Sequence, residues 1–239
     1  MNGIKAIITF AGEGARFGSQ LPKQFHKLSG KKIYLHCLEK FIYSNLFDEI
    51  ILVCPEKWKT DVEYDVTAYK QVSIKVVSGG ATRQESTYQG ILACGKETEY
   101  VVIHDGVRPF VSEKILLENV EAVRKYGAVD TCIPSTDTLV YSSSGTQIDS
   151  IPKRSELLRG QTPQSFSYSL ILEAHEEARK KGLQVSDDCS LAVAMNKKVF
   201  IVQGDEHNIK ITSQLDLSIA EQLLQLEPIG KSLISTTDS

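Results

Sequence analysis

Apolar runs of strand length alternate with amphipathic helical patterns through the first two-thirds of the chain. The runs cover residues 4–10, 49–54, 72–77, 100–104 and 128–134, and the helical patterns lie near 33–43, 56–69, 83–94 and 112–125. Strands that are apolar throughout have both faces buried, and the helices between them supply the cover. This order restricts the chain to an α/β fold, a mostly parallel sheet flanked by helices. Such sheets take ligands beyond the carboxyl ends of their strands. A glycine-rich loop after the first run, Ser78-Gly79-Gly80 after the third and His104-Asp105 after the fourth all fall at such ends. The expectation is one site assembled from separate segments.

The alternation lapses between residues 136 and 166. Residues 136–142 and 147–152, joined by Ser143-Ser144-Gly145-Thr146, read as a β-hairpin. An isolated hairpin is marginal in water, so this one is expected to pack on something, such as a second subunit. A helix over 168–181, stopped by Gly182 and carrying cations in its last turn, follows. Strands at 198–203 and 208–212 and a helix at 215–226 complete the reading. One domain is expected over 1–226, with a hairpin arm at 136–160 and a disordered tail at 227–239.

The 239 residues carry 30 acidic and 27 basic side chains, a net charge of −3, which argues against a nucleic-acid-binding surface. Any anion site must therefore be local. Cys37, Cys54, Cys94, Cys132 and Cys189 are scattered and never in C-x-x-C spacing, so zinc and disulfide readings fail. Four sit in apolar surroundings and read as small buried hydrophobes. No signal peptide and no run of transmembrane length is read, and the expected location is the cytoplasm.

The loop Ala11-Gly12-Glu13-Gly14-Ala15-Arg16-Phe17-Gly18 is followed by Pro22-Lys23-Gln24. Glycines let the backbone approach a bulky anion, and exposed amides supply donors. Arg16 and Lys23 add two positive charges, so the segment reads as a polyphosphate cradle or as a glycine-rich surface turn with two solvated cations. The spacing G-x-G-x-x-x-G fits neither the dinucleotide fingerprint nor the P-loop.

Asp105 in His104-Asp105-Gly106-Val107-Arg108-Pro109 could hold a divalent metal, since Mg²⁺ uses one or two carboxylates plus substrate phosphates. It could equally cap a turn and pair with Arg108. In Ser78–Ser86 the backbone could read the edge of a base and Ser86 could donate. The same stretch fits a strand-to-helix connection with Thr82 and Glu85 as a capping box. Thr138, Arg154 and Thr162 suit a phosphate monoester, because guanidinium geometry matches phosphate. Taken singly, each is an ordinary surface residue. Lys210, between Ile209 and Ile211, either points outward or reaches the site. His36, His175 and His207 read as surface or core residues, and no arrangement for covalent catalysis is present.

Taken together, Ala11-Gly12-x-Gly14-x-Arg16-Phe17-Gly18, Pro22-Lys23-Gln24, Gly79-Gly80, Arg83 with Ser86, His104-Asp105-x-x-Arg108-Pro109, Asp137-Thr138, Gln161-Thr162-Pro163-Gln164, Asp187 and Asn208-Ile209-Lys210-Ile211-Thr212 resemble the cytidylyltransferases of sugar-alcohol phosphates. That group includes the 2-C-methyl-D-erythritol 4-phosphate and ribitol 5-phosphate enzymes, and the resemblance runs from residue 4 to about 224. It implies a Rossmann-like nucleotidyltransferase fold and CTP bound through Ala11, Gly12, Gly14, Gly80, Ala81, Ser86 and Asp105. It further implies Arg16, Lys23 and Lys210 as catalytic cations, and Mg²⁺ near Asp105. Asp105, Arg108, Ser186 and Lys210 would surround the acceptor, with Thr138 and Arg154 from the hairpin arm of the other copy in a homodimer. Residues 149–154, 159–162 and 128–131 look more like the ribitol phosphate branch. Phe10 stands where the group carries a small residue, and Glu13 puts an acid in the phosphate loop.

The implied reaction is in-line attack by the acceptor's phosphate oxygen on the α-phosphorus of CTP. A phosphate monoester is already largely dianionic at neutral pH, so no general base is required. The rival reading of a different class is a non-catalytic module that senses a nucleotide.

Overall fold

A computed structural model describes residues 3–12, 17 and 21–226 of the chain. Arg16, Gly14, Glu13 and the expected tail at 227–239 lie outside the described residues. The strands are β1 (Ile4–Thr9), β2 (Lys27–Leu28), β3 (Lys31–Lys32), β4 (Glu49–Cys54), β5 (Ser73–Ser78), β6 (Tyr100–Asp105), β7 (Ala128–Pro134), β8 (Leu158–Ser167) and β9 (Phe200–Gln203). β2 and β3 pair as a small ribbon, and the other seven form one sheet in the order β5-β4-β1-β6-β8-β7-β9. β1 runs parallel to β4 and β6, whereas β8 is antiparallel to both its neighbours. The sheet is thus mostly parallel, as expected, with one reversed strand inserted.

The helices are α1 (Ile33–Tyr43), α2 (Lys59–Asp65), α3 (Arg83–Cys94), α4 (Glu113–Tyr126), α5 (Tyr168–Lys181), α6 (Asp188–Ala194) and α7 (Gln214–Leu226). Side chains alternate across a strand, so Ile4, Ala6 and Ile8 of β1 pack with Phe41 of α1 and Leu116 of α4, while Ile7 packs with Ile91 of α3 and Ile171 of α5. Burial on both faces is why β1 reads as an unbroken apolar run. Each such aliphatic side chain contributes roughly 1.5–3 kcal/mol. A further cluster joins Ala220 of α7 to Phe17, Leu28, Val107 and Ile211, tying α7 to the loop after β6. All five cysteines are buried and unpaired.

Four expectations need correction. Residues 56–69 do not form one helix: α2 is flanked by 3-10 turns at Glu56–Trp58 and Val66–Ala68. Thr67 Oγ1 donates to the Tyr64 carbonyl at 2.7 Å, a local bond that competes with helix propagation. Residues 208–212 form no strand; one bond, Ile211 N–H to the Val107 carbonyl at 2.9 Å, takes the place of a ladder. The hairpin reduces to a single antiparallel bridge, Tyr141 to Ser150. β8 and α6 were not foreseen, because β8 is polar in sequence; its Gln161, Thr162, Gln164 and Ser165 are nevertheless buried.

Candidate active site

The loops at the carboxyl ends of β1, β4, β5 and β6 meet over a cleft of about 710 Å³, which Lys23 and Lys210 also line. Each wall is set by local chemistry. Buried Gln24 donates through Nε2 to the Phe10 and Gly12 carbonyls at 2.7 and 2.9 Å, fixing where the chain leaves β1 and so where Lys23 stands. Opposite, Thr82 caps α3 in a reciprocal box with Glu85. Gly79 approaches Ala11 so closely that a Cβ there would lie 2.3 Å from the Ala11 Cβ. The glycine is required by proximity rather than by a left-handed backbone.

The turn before α3 spends its amide donors internally. Gly80 N–H donates to Ser86 Oγ at 3.2 Å and Ala81 N–H to Glu85 Oε2 at 2.8 Å, while Ser86 Oγ donates to the Thr82 carbonyl at 2.8 Å. The turn can therefore offer a ligand carbonyl acceptors more readily than amide donors.

Asp105 ends β6 at the centre of the site. Lys210 Nζ lies 2.8 Å from Oδ2, Arg108 Nε 3.7 Å from Oδ2, and Arg83 Nε 3.5 Å from Oδ1. Burial alone would raise this carboxyl, but the charges of Lys210, Arg83 and Arg108 outweigh it and hold Asp105 well below the usual carboxylate range. Arg83 is in turn clamped from behind by buried Asp188, Nη1 to Oδ2 at 2.8 Å, whose other oxygen meets His175 Nε2 at 3.1 Å. Burial works against the Arg83 charge, but the two carboxylates raise its pKa above the ordinary arginine value.

The unforeseen strand β8 supports this centre. Thr162 Oγ1 accepts the Asp105 N–H at 3.1 Å and meets His104 Nδ1 at 3.0 Å. His104 Nε2 lies 3.1 Å from the Arg108 carbonyl, which can only accept, so Nε2 carries the proton and Nδ1 accepts from Thr162. Burial is the main reason His104 stays neutral, with its pKa lowered to about 4. Asn208 donates to the Thr162 carbonyl at 2.8 Å, and its own carbonyl accepts from Arg108 Nη1 at 2.7 Å. These bonds, with the packing of Ile211, deliver Lys210 to Asp105 without any strand.

A second, smaller pocket of about 270 Å³ shares Arg83, Asp105 and Lys210 with the first and adds Arg108, Asp130 and Ser186 to its wall. Of the residues singled out from sequence, Ala11, Gly12, Lys23, Gly80, Ala81, Ser86, Asp105 and Lys210 line the larger cleft. Asp105, Arg108, Ser186 and Lys210 line the smaller one. Thr138 and Arg154 line neither; both are exposed on the arm, where Arg154 Nη1 reaches the Thr136 carbonyl at 3.4 Å. Arg16 and Gly14 lie outside the described residues. Arg83, Asp130 and Gln164 stood within the quoted motifs and segments, but sequence reasoning gave them no role in the site. Position 83, first in the helix after the cap and beside the Gly-Gly turn, was the available signal for Arg83.

The donor set at Asp105 does not fit a resident divalent ion. Both its oxygens face cations, and no group of three or more His, Cys, Asp or Glu able to hold a metal occurs among the described residues.

A glycine-bearing cleft at the carboxyl edge of a mostly parallel sheet, joined through shared cations to a smaller polar pocket, can hold two anionic groups side by side, as a nucleotidyltransferase must. The model of the IspD family, 2-C-methyl-D-erythritol 4-phosphate cytidylyltransferase, matches residues 4–226, and the chain belongs to that family of cytidylyltransferases. It is 40% identical over 223 residues, 92% of this chain and 93% of the relative, to the 2-C-methyl-D-erythritol 4-phosphate cytidylyltransferase of Clostridioides difficile (strain 630). It is 36% identical over 230 residues, 93% of this chain and 98% of the relative, to the ribitol-5-phosphate cytidylyltransferase of Lactiplantibacillus plantarum. The crystal structure of 4-diphosphocytidyl-2C-methyl-D-erythritol synthase from Anaerococcus prevotii superposes with a TM-score of 0.84 at 35% identity, covering 93% of this chain and 96% of that one.

Proposed function

We propose that this cytidylyltransferase transfers CMP from CTP to D-ribitol 5-phosphate, releasing pyrophosphate and forming CDP-ribitol. The observation that carries the reading is the pair of pockets meeting at Asp105, Arg83 and Lys210. Two anions have to be held together in the reaction, and cations shared by both pockets stand where they would meet. The larger cleft takes CTP, with Ala11, Gly12 and Gly14 along the phosphates and Gly80, Ala81 and Ser86 at the base. Carbonyl acceptors in that turn suit the exocyclic amine of cytosine and not a second carbonyl. CTP enters as its magnesium complex, so the ion belongs to the substrate.

Lys23 and Arg16 hold the triphosphate, and Lys210 faces the α-phosphoryl group from the acceptor side. Negative charge building on the transferred group is stabilised by these cations, Lys23 and Lys210 among them being set in place by the fold, the dominant kind of catalysis in phosphoryl transfer. Asp105, held ionised by its cations, is suited to accept from ribose or acceptor hydroxyls. Arg108 and Ser186 border the acceptor, with Thr138 and Arg154 supplied by the arm of a second copy. Exposed apolar side chains on that arm, among them Leu139, Val140, Ile148 and Ile151, support a homodimer. The unpaired buried cysteines suit the cytoplasm, and among the described residues no helix is long and apolar enough to cross a membrane.

The second reading replaces the acceptor with 2-C-methyl-D-erythritol 4-phosphate; the 40% identity to an enzyme named for it favours that reading. Purified protein with CTP, Mg²⁺ and each acceptor in turn decides. Pyrophosphate release with ribitol 5-phosphate and little with the methylated acceptor is expected, and the reverse order would transfer the assignment to the second reading.

A further inference from the structure

We propose that Asp130 is the residue that reads the acceptor's hydroxyl chain, and that it makes the second pocket selective for an unbranched alditol phosphate over a methyl-branched one. The inference rests on the cytidylyltransferase reading and names what sets its acceptor.

The carboxylates lining this pocket differ in what they have left to give. Asp105 is ringed by three cations. Asp187 caps α6: its Oδ1 accepts the Ser190 N–H at 2.9 Å, and its Oδ2 accepts the Ser190 and Ser186 hydroxyls at 3.1 and 3.2 Å. Asp130, on β7 next to the edge of the sheet, accepts Gln164 Nε2 on Oδ1 at 3.0 Å, is also bonded by Cys132 and the Thr131 backbone, and feels the Arg108 charge without forming an ion pair among the described residues. Beside its Oδ2 stands Gly160, where a Cβ would lie in ordinary contact at 3.6 Å, so the glycine leaves that side of the oxygen uncovered. Burial, reinforced by the nearby charge of Asp187, raises the Asp130 carboxyl. A half-buried carboxylate without an ion pair needs donors, and polyol hydroxyls are donors of the right size.

Gln164 fixes the direction of this group. Its Oε1 accepts the Asp188 N–H at 3.1 Å while its Nε2 donates to Asp130, so the amide cannot turn without breaking both bonds. The rest of the wall is equally polar. No Ala, Val, Leu, Ile, Met, Phe, Tyr or Trp is among the described residues lining the pocket. A branching methyl group gains nothing against such a wall, whereas each hydroxyl of a linear polyol can find a partner. A site built to bond a hydroxyl also rejects an analogue lacking it, because its own polar groups are then left unpaired.

The test pairs Asp130→Asn, which keeps shape and removes charge, with ribitol 5-phosphate and its deoxy analogues, each lacking one hydroxyl. For the wild type, removal of the hydroxyl that Asp130 binds should raise KM by about tenfold or more, as loss of a bond to a charged group does. In Asp130→Asn the KM for ribitol 5-phosphate should rise similarly, KM for CTP should stay put, and the same deoxy analogue should now cost little. An unchanged acceptor KM in the variant, or a deoxy penalty equal in both proteins, overturns the proposal. So does a wild type that prefers the methyl-branched acceptor. The wild-type analogue series alone keeps the test decisive should the variant not fold: an absence of any hydroxyl penalty overturns it. A wild type that binds CTP but turns over neither acceptor refutes the functional reading itself.

Discussion

The sheet edge and the hairpin arm are held in opposite ways. At the edge, backbone and side chains around the cleft are fixed by buried partners from other segments: Gln24 on the Phe10 carbonyl, Thr162 on the Asp105 N–H, Asp188 on the Arg83 guanidinium. In the arm one bridge joins Tyr141 to Ser150, and Tyr141, Ile148 and Ile151 are each about 60% exposed. The described part of the edge is held by bonds within one chain, whereas the arm presents apolar surface that no described residue covers. The contrast teaches that the described cleft is held by bonds within the fold, whereas under the proposed reading the arm acts only once a second copy covers it.

The largest effect should fall on the edge. Lys23→Ala and Lys210→Ala should each lower turnover by on the order of a hundredfold or more, as loss of a preorganised charge partner does. Single-turnover pyrophosphate release measures this, and near-normal rates would remove these lysines from the chemistry. His104 should make the edge acid-sensitive. Its folded pKa is lowered to about 4 from the ordinary 6.5, so it contributes stability that is fully present above pH 6.5 and lost as pH falls toward 4. The span is worth about 3 kcal/mol. Denaturant melts across that range should lose this much, and His104→Gln should flatten the dependence; an unchanged profile would contradict the buried neutral histidine.

A smaller effect is expected at Gly79→Ala, whose new Cβ would overlap Ala11 and force the cleft walls apart. Overpacking of this kind costs about 1–3 kcal/mol, and CTP affinity should drop with it. Arg154→Ala should lower activity about tenfold by weakening acceptor binding, consistent with loss of one charge-assisted contact. Mixing it with Lys210→Ala sharpens the comparison. If the arm serves the other copy, mixed dimers hold one intact site and activity returns to roughly a quarter of wild type on statistical pairing; an arm serving its own chain restores none. The smallest effect is Tyr141→Ala, where exposure limits the loss of monomer stability to about 0.5 kcal/mol.

The parallel part of the sheet was legible in the sequence because strands such as β1 and β4 are buried on both faces and therefore apolar throughout. β8 was not, since its buried Gln161, Thr162, Gln164 and Ser165 are satisfied by partners that only the tertiary fold provides. Lys210 shows the converse. Its local conformation was misjudged, yet it reaches the site, because Asn208 and Ile211 anchor the segment on either side of it. Arg83 and Asp130 fell within the quoted motifs but were given no role for a third reason: single polar residues acquire a role from what stands across the pocket, which spacing along the chain does not encode.

Calorimetric titration of CTP with magnesium into the purified protein tests most directly that the described cleft grips a nucleotide across the sheet edge. A saturable heat with one site per chain, weakened in Gly79→Ala, is the expected result. No detectable heat in the wild type, with the protein folded, would contradict the account at its foundation.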